Sequence, residues 1–305
     1  MNTTITTNTT TTNSPTTDIR QRFFIEHSPV RGEVVHLHDT LQTILKQRDY
    51  PKAVELLLGE LLVGSALLAS TLKIKGRLSL QIQGTGLLKW AMAECSHEGD
   101  LRALAEWQDD PSLLEAVNGD VALASLKDGV LFINIEPEQG ERYQGIVPLE
   151  AETLADCLSQ YYDLSAQIPT RLALACDGQQ AGGLLIQLLP RNDDEQAEVD
   201  EDLWPRLTLL TSTLQPDELI YLPSQEVLYR LYNEEEVRLP DMEQLRFGCT
   251  CSRERCEAAL QQVGQDTVQE LLNEEDEIKM DCQFCNTQYR FGPEEALGLF
   301  GIHLS

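Results

Sequence analysis

A chain of 305 residues with a formal charge of −27 is a polyanion of about two-domain length. Phosphate backbones and anionic membrane surfaces repel such a molecule, so nucleic acid and membrane are excluded as leading partners. The apolar share of 42% is enough for a packed core.

The first 18 residues, MNTTITTNTTTTNSPTTD, have no basic start and no apolar run. They predict a disordered Thr/Asn-rich tail, no secretory signal and a cytoplasmic address. Residues 19–190 predict one α+β domain. RGEVVHL (31–37) alternates weakly as a strand and gives way to a helix around DTLQTILKQRD, with Asp39 or Thr40 as its cap. A long apolar helix follows Pro51. AVELLLGELLVGSALLASTL (53–72) approaches membrane-spanning length, but Glu55 and Glu60 would each cost roughly 2–3 kcal/mol in a bilayer. It reads as a buried helix of a soluble domain. In RLSLQIQG (77–84), Leu78, Leu80 and Ile82 alternate with Ser79, Gln81 and Gln83, the pattern of a half-buried strand.

GTG (84–86) predicts a turn and LLKWAMAEC the next strand. Residues 128–150 predict a turn, a strand, a Gly-containing loop and another strand. ETLADCLSQYYDLS (152–165) predicts a helix. PTRLALACDGQQAGGLLIQLLP (169–190) predicts a hairpin around Asp177-Gly178. The strands come in adjacent pairs, which favours antiparallel or mixed sheets with packed helices. Composition then shifts: seven of the ten residues at 193–202 are Asp or Glu, a solvated stretch. Helical pieces around Leu207–Leu214 and Ser224–Glu236 follow, broken by Pro216, Pro223 and Pro240. Residues 191–246 thus predict an acidic, then helical, marginally stable connector.

Five of the eight cysteines fall in the last 59 residues, 247–305. Cys249-x-Cys251 and Cys282-x-x-Cys285, separated by thirty residues, are the two half-sites of a four-thiolate zinc centre. Helical stretches between them, VQELLNEEDEI included, could fold back to unite the halves. A piece this short has little core, and a metal is its natural staple. Cys256 fits neither half-site and reads as a bystander on a helix. Cys95, Cys157 and Cys176 read as core or half-exposed thiols.

The same centre can act as a switch. Oxidants attack thiolates. A disulfide across a two-residue spacing is constrained, and strained disulfides tend to be labile and regulatory. Oxidised, the ligands pair and the staple is lost.

Other signals are weaker. His36-x-His38 has no cysteine or carboxylate cluster to complete a metal site. GTG (84–86) and AGG (181–183) lack the Lys and helix of a phosphate loop and read as turns or tight strand entries. No Ser/His/Asp ordering or Gly-x-Ser-x-Gly element points to an enzyme. A nucleic-acid-binding zinc ribbon fits poorly with four basic against eleven acidic residues in 247–305. A thiol–disulfide oxidoreductase using Cys282-x-x-Cys285 would need a strand–helix context that is missing here.

The strings CTCSRERC, CNTQYRF, VLYRLYNEEEV, YQGIVPLE, QIPTRL and AGGLLIQLLP, together with the cysteine spacing, resemble the bacterial 33-kDa redox-regulated heat-shock chaperone family. The resemblance covers roughly 19–300. It implies an ATP-independent holdase with a substrate-binding core at 19–190, a connector at 191–246 that covers it, and a zinc-binding redox-switch domain at 247–305. Cys249, Cys251, Cys282 and Cys285 would hold one zinc ion per chain when reduced. Oxidation would join Cys249 to Cys251 and Cys282 to Cys285, unfold the C-terminal domain, loosen the connector and expose apolar surface to unfolding client proteins. The activated form would dimerise.

Overall fold

The computed structural model describes residues 18–84, 86, 88–108, 129–190 and 200–302. The Thr/Asn-rich tail up to residue 17, Thr85 of the GTG turn and residues 193–199 of the acidic run lie outside the described residues. The chain divides into two compact units, one ending at Phe247 and one beginning at Gly248.

The first unit is α+β. It opens with β1 (Ile19–Ile25), β2 (Val30–Leu37), α1 (Asp39–Leu45) and α2 (Lys52–Thr71). Next come β3 (Gly76–Gln83), β4 (Leu88–Ser96), β5 (Asp100–Trp107), β6 (Val130–Pro137) and β7 (Tyr143–Pro148). Helix α3 (Leu154–Tyr161) runs on into a π-turn to Ala166, and β8 (Thr170–Cys176) and β9 (Ala181–Leu188) form the hairpin around Asp177-Gly178. The stretch read as a connector contributes α4 (Leu203–Thr211), α5 (Pro216–Tyr221), α6 (Ser224–Tyr232), β10 (Val237–Arg238), β11 (Glu243–Gln244) and β12 (Arg246–Phe247).

The strands build two sheets. The first runs β10-β1-β2-β9-β8, with β11 also on β1; the second runs β12-β5-β4-β3-β6-β7. All pairs are antiparallel except β12 on β5, so the second sheet is mixed. Helix α2 is the centre of the core. Fifteen of its twenty residues are buried, as expected of a helix apolar on every side. It is the one described helix long and apolar enough to cross a membrane, and 78% of its apolar window is buried inside the protein. Its last turns meet three arginines from β1 and β2. Arg20 donates to the Ala66 carbonyl (3.2 Å), Arg22 to Ser70 (3.0 Å) and Arg31 to Thr71 (3.4 Å), placing cations where the helix dipole is negative.

Strand β9 shows why this packing is close. Gly183 faces Val63 and Leu67 of α2, and a Cβ there would collide with both. Gly182 faces the other way, under the main chain of α5. The two glycines read as a tight strand entry therefore let helices approach both faces of one strand. Beyond them, Leu185 joins the α2 core while Leu184 and Ile186 join a second cluster. That cluster sets Phe23, Val34, Leu184 and Ile186 against Leu207, Leu219, Val227 and Leu231 of α4–α6. The described part of the connector stretch thus covers an apolar sheet face.

Several elements differ from the sequence expectation. Strands β1 and β5 are additional. Pro216 starts a helix instead of only ending one. The helical reading of VQELLNEEDEI holds for its first seven residues, after which Ile278 enters a strand.

Candidate metal centre

The unit from Gly248 holds α7 (Arg253–Val263), α8 (Gln265–Glu274), the hairpin β13 (Ile278–Asp281) and β14 (Gln288–Phe291), and α9 (Pro293–Gly298). Its apolar cluster has only five buried members: Leu260, Val268, Ile278, Phe291 and Ala296. Burial on that scale does not stabilise a fold of this length without help.

The cysteines occupy two tight backbone corners. Cys249 and Cys251 directly precede α7, whose start is fixed by Ser252: its hydroxyl accepts the Arg255 N–H at 3.3 Å. Cys282 and Cys285 form the turn of the β13–β14 hairpin. The Asn286 N–H donates to the Cys282 carbonyl (2.8 Å) and the Cys282 N–H to the Thr287 carbonyl (2.9 Å), while Asn286 takes the left-handed conformation (φ 55°) that closes the turn.

The two corners bring the sulfurs together. Cys249 Sγ lies 3.5 Å from Cys282 Sγ, and Cys251 Sγ lies 3.4 Å from Cys285 Sγ. All four sulfurs lie within 4.8 Å of one another, and among the described residues this is the one cluster of His, Cys and acidic side chains able to hold a metal ion. A tetrahedral ion with metal–sulfur bonds of about 2.3 Å spaces its sulfurs by about 3.8 Å. The donor set fits such an ion.

The electrostatics say the same. Burial, followed by hydrogen bonding among the sulfurs, pushes the Cys249 thiol up to about 12. Burial also raises Cys282. At Cys285 burial is opposed and outweighed by the Thr287 hydroxyl and N–H and by the Cys251 and Cys282 thiols, which bring it down to about 7. Four adjacent thiolates cannot coexist without a cation to balance them.

Two partners of the sulfurs were not singled out by sequence reasoning. The Tyr289 hydroxyl donates to Cys251 Sγ (3.2 Å), and Thr287 Oγ1 lies 3.2 Å from Cys285 Sγ. Bonds of this kind orient ligands and tune their basicity. The available signal was their place in CNTQYRF, immediately after the second cysteine pair.

The remaining cysteines and the His pair lie elsewhere. Cys256 sits on α7, half-buried against the small apolar cluster and outside the four-sulfur group. Cys95 on β4 and Cys157 on α3 are buried, and Cys176 at the end of β8 is half-buried. His36 lies on β2 with its Nε2 buried and without a hydrogen-bond partner, and burial pushes its pKa down to about 4. His38 faces Asp39 (2.8 Å).

Comparison with known proteins agrees with this architecture. The family profile described as Hsp33 protein matches residues 18–292. A 33 kDa chaperonin of Pseudomonas fluorescens (strain Pf0-1) is 42% identical over 285 residues, 93% of this chain and 94% of that one. A 33 kDa chaperonin of Shewanella sp. (strain ANA-3) is 40% identical over 275 residues, 90% of this chain and 92% of its own. The crystal structure of the 33 kDa chaperonin (heat shock protein 33 homolog) of Thermotoga maritima shares the fold, with a TM-score of 0.78 at 23% identity, over 93% of this chain and 98% of that chain. Four clustered thiols on a small unit, joined to a two-sheet α+β unit and matched along nearly the whole length, place this chain in the Hsp33 protein family.

Proposed function

We propose that the protein is a redox-regulated, ATP-independent chaperone that holds unfolding proteins and has no catalytic step. Its ligands in the reduced state are Cys249, Cys251, Cys282 and Cys285, with one zinc ion per chain. Bound zinc keeps the four sulfurs deprotonated and contributes on the order of 10 kcal/mol to folding in small zinc peptides. That figure is comparable to the whole stability of a domain, about 5–15 kcal/mol. The observation that carries the reading is the pairing of this donor set with an apolar cluster of only five buried residues among those described in its unit.

On oxidation each pair of cysteine thiolates gives up two electrons to one peroxide molecule, which takes up two protons from solvent and leaves as two waters. The family resemblance implies that the bonds formed join Cys249 to Cys251 and Cys282 to Cys285. The donor set is then consumed and residues 248–305 lose their staple. Only Gly248 separates β12 from Cys249, so disorder reaches the connector directly along the chain. As α4–α6 loosen, the sheet face lined by Phe23, Val34, Leu184 and Ile186 opens to clients. The oxidised chain forms a homodimer in the cytoplasm, and its charge of −27 keeps client complexes dispersed and away from nucleic acid and membranes.

Light scattering of a heat-denaturing client tests this. Suppression after warm peroxide treatment, and none with reduced, zinc-loaded protein, is the expected result. Equal behaviour of both forms would make the centre purely structural, and turnover of a dithiol substrate would instead mark an oxidoreductase.

A further inference from the structure

Strand β1 has seven residues and lies at the edge of the first sheet. Its outer side is filled by the chain's own residues 237–244, and the filling is incomplete. Val237 and Arg238 pair with Ile25 and Phe24; Glu243 and Gln244 pair with Arg20 and Ile19. Between them Leu239 to Met242 stand against Gln21 to Phe23, so the register slips by one and the ladder is interrupted. Pro240 sits in that bulge and has no N–H for a ladder. Its carbonyl is held instead by the Gln21 side chain (2.7 Å). The edge is closed to other chains, but by a poor strand.

The places this segment occupies suit a particular guest. Val237 and Leu239 are buried beside Phe23 and Ile25, two residues apart, the spacing at which a strand turns side chains to one face. Ion pairs of Arg238 with Glu26 and of Glu243 with Arg20 fasten the segment at its two ends.

We propose that β1 is a client-binding edge. Once 237–244 is displaced, β1 takes an extended segment of an unfolded polypeptide as an added antiparallel strand, with alternate apolar side chains in the places of Val237 and Leu239. This rests on the holdase reading above. Backbone N–H and C=O groups are common to every unfolded chain, so strand addition recognises clients without a fixed sequence. A segment free of proline can pair along all of β1, where the resident pairs at four positions. Loss of Glu243 leaves the buried Arg20 guanidinium without its carboxylate, so an acidic client residue at that position is favoured. A second copy fits less well. Two β1 strands side by side would bring Arg20 and Arg22 of each near those of the other, and like charges across strands are destabilising.

The test uses the full-length chain oxidised with warm peroxide. The probe is a soluble alternating Val–Thr peptide with a terminal Glu, and the control is its twin N-methylated along the backbone. Hydrogen exchange of residues 19–25 is read by mass spectrometry, and scattering of heat-denatured citrate synthase is measured on the same sample. Oxidation should speed exchange of 19–25 about tenfold, and the peptide should slow it again by about tenfold, the scale of one or two net hydrogen bonds. The N-methylated twin should do nothing.

The inference is overturned by any of four results: 19–25 stay protected on oxidation; the twin protects as well as the peptide; protection returns with protein concentration alone, meaning a second copy takes the edge; or scattering is suppressed while neither client nor peptide alters exchange at 19–25. If the peptide protects 19–25 but scattering is not suppressed, the holdase reading falls and the strand-addition site stands.

Discussion

Gly182 of β9 lies directly beneath the main chain of Leu219 in α5, so close that a Cβ at 182 would enter the Leu219 carbonyl oxygen. Backbone cannot yield as a flexible side chain can. Gly182→Val should therefore lift α5 from the sheet, at an overpacking cost of about 1–3 kcal/mol. The reduced, zinc-loaded variant should bind a hydrophobic dye and suppress client scattering in part without peroxide. Gly183→Val is the control, because its Cβ would strike Val63 and Leu67 on the opposite face and lower the melting temperature of the whole first unit. A Gly182 variant with unaltered dye binding would mean that α4–α6 do not guard the client surface.

The Tyr289 hydroxyl bond to Cys251 Sγ makes a second prediction. Tyr289→Phe removes one donor and keeps the ring in place. Zinc affinity, measured by competition with a chromogenic chelator, should fall about tenfold, as for lost partners of ligands elsewhere. The thiolate left without its donor should also react faster with peroxide. Unchanged affinity and oxidation rate would show that the hydroxyl bond does not tune the sulfur.

What was legible in the sequence followed from how few solutions each pattern permits. An all-round apolar helix has one home, so α2 could be read directly. Four thiols with knuckle spacing also have few alternatives, and the structure brings those four together. Strand β1 was hidden because Arg20 and Arg22 interrupt its alternation. They are tolerated through Glu243 and Glu33, partners that the fold supplies. In β5, DLRALAEW is composed largely of good helix formers, and pairing with β4 overrides that preference. Pro216 reads in sequence as a break, yet its fixed φ suits a first helical turn, where Glu218 closes back onto the Gln215 N–H (3.2 Å).

Thiol chemistry should separate the cysteines into two classes. Burial pushes the Cys95 and Cys176 thiols up to about 12 and raises Cys157. At pH near 8 these three carry almost no thiolate. In chelator and reductant the C-terminal unit loses its staple, so its five thiols become those of an unfolded chain. Brief iodoacetamide treatment should label them and spare the three held in the folded first unit until urea is added. Peptide mass mapping reads the outcome. Rapid labelling of Cys95 in folded protein would contradict its burial.

His36 ties stability to pH. Its pKa is held down to about 4 by burial, with its Nε2 unpartnered, while an unfolded chain protonates His near 6.5. Between those values unfolding takes up a proton, so the contribution is complete above about pH 6.5, is lost as pH falls, and levels off below about 4. From pH 7 to pH 5 the first unit should lose about 1–2 kcal/mol through this residue. Trp90, Trp107 and Trp204 all belong to that unit, so fluorescence-detected urea unfolding reports on it alone. His36→Gln should lower stability at pH 7 and flatten the pH dependence. If the variant and the parent show the same slope between pH 7 and pH 5, then His36 is not the group that takes up the proton on unfolding, and the acid sensitivity of this unit belongs to its carboxylates.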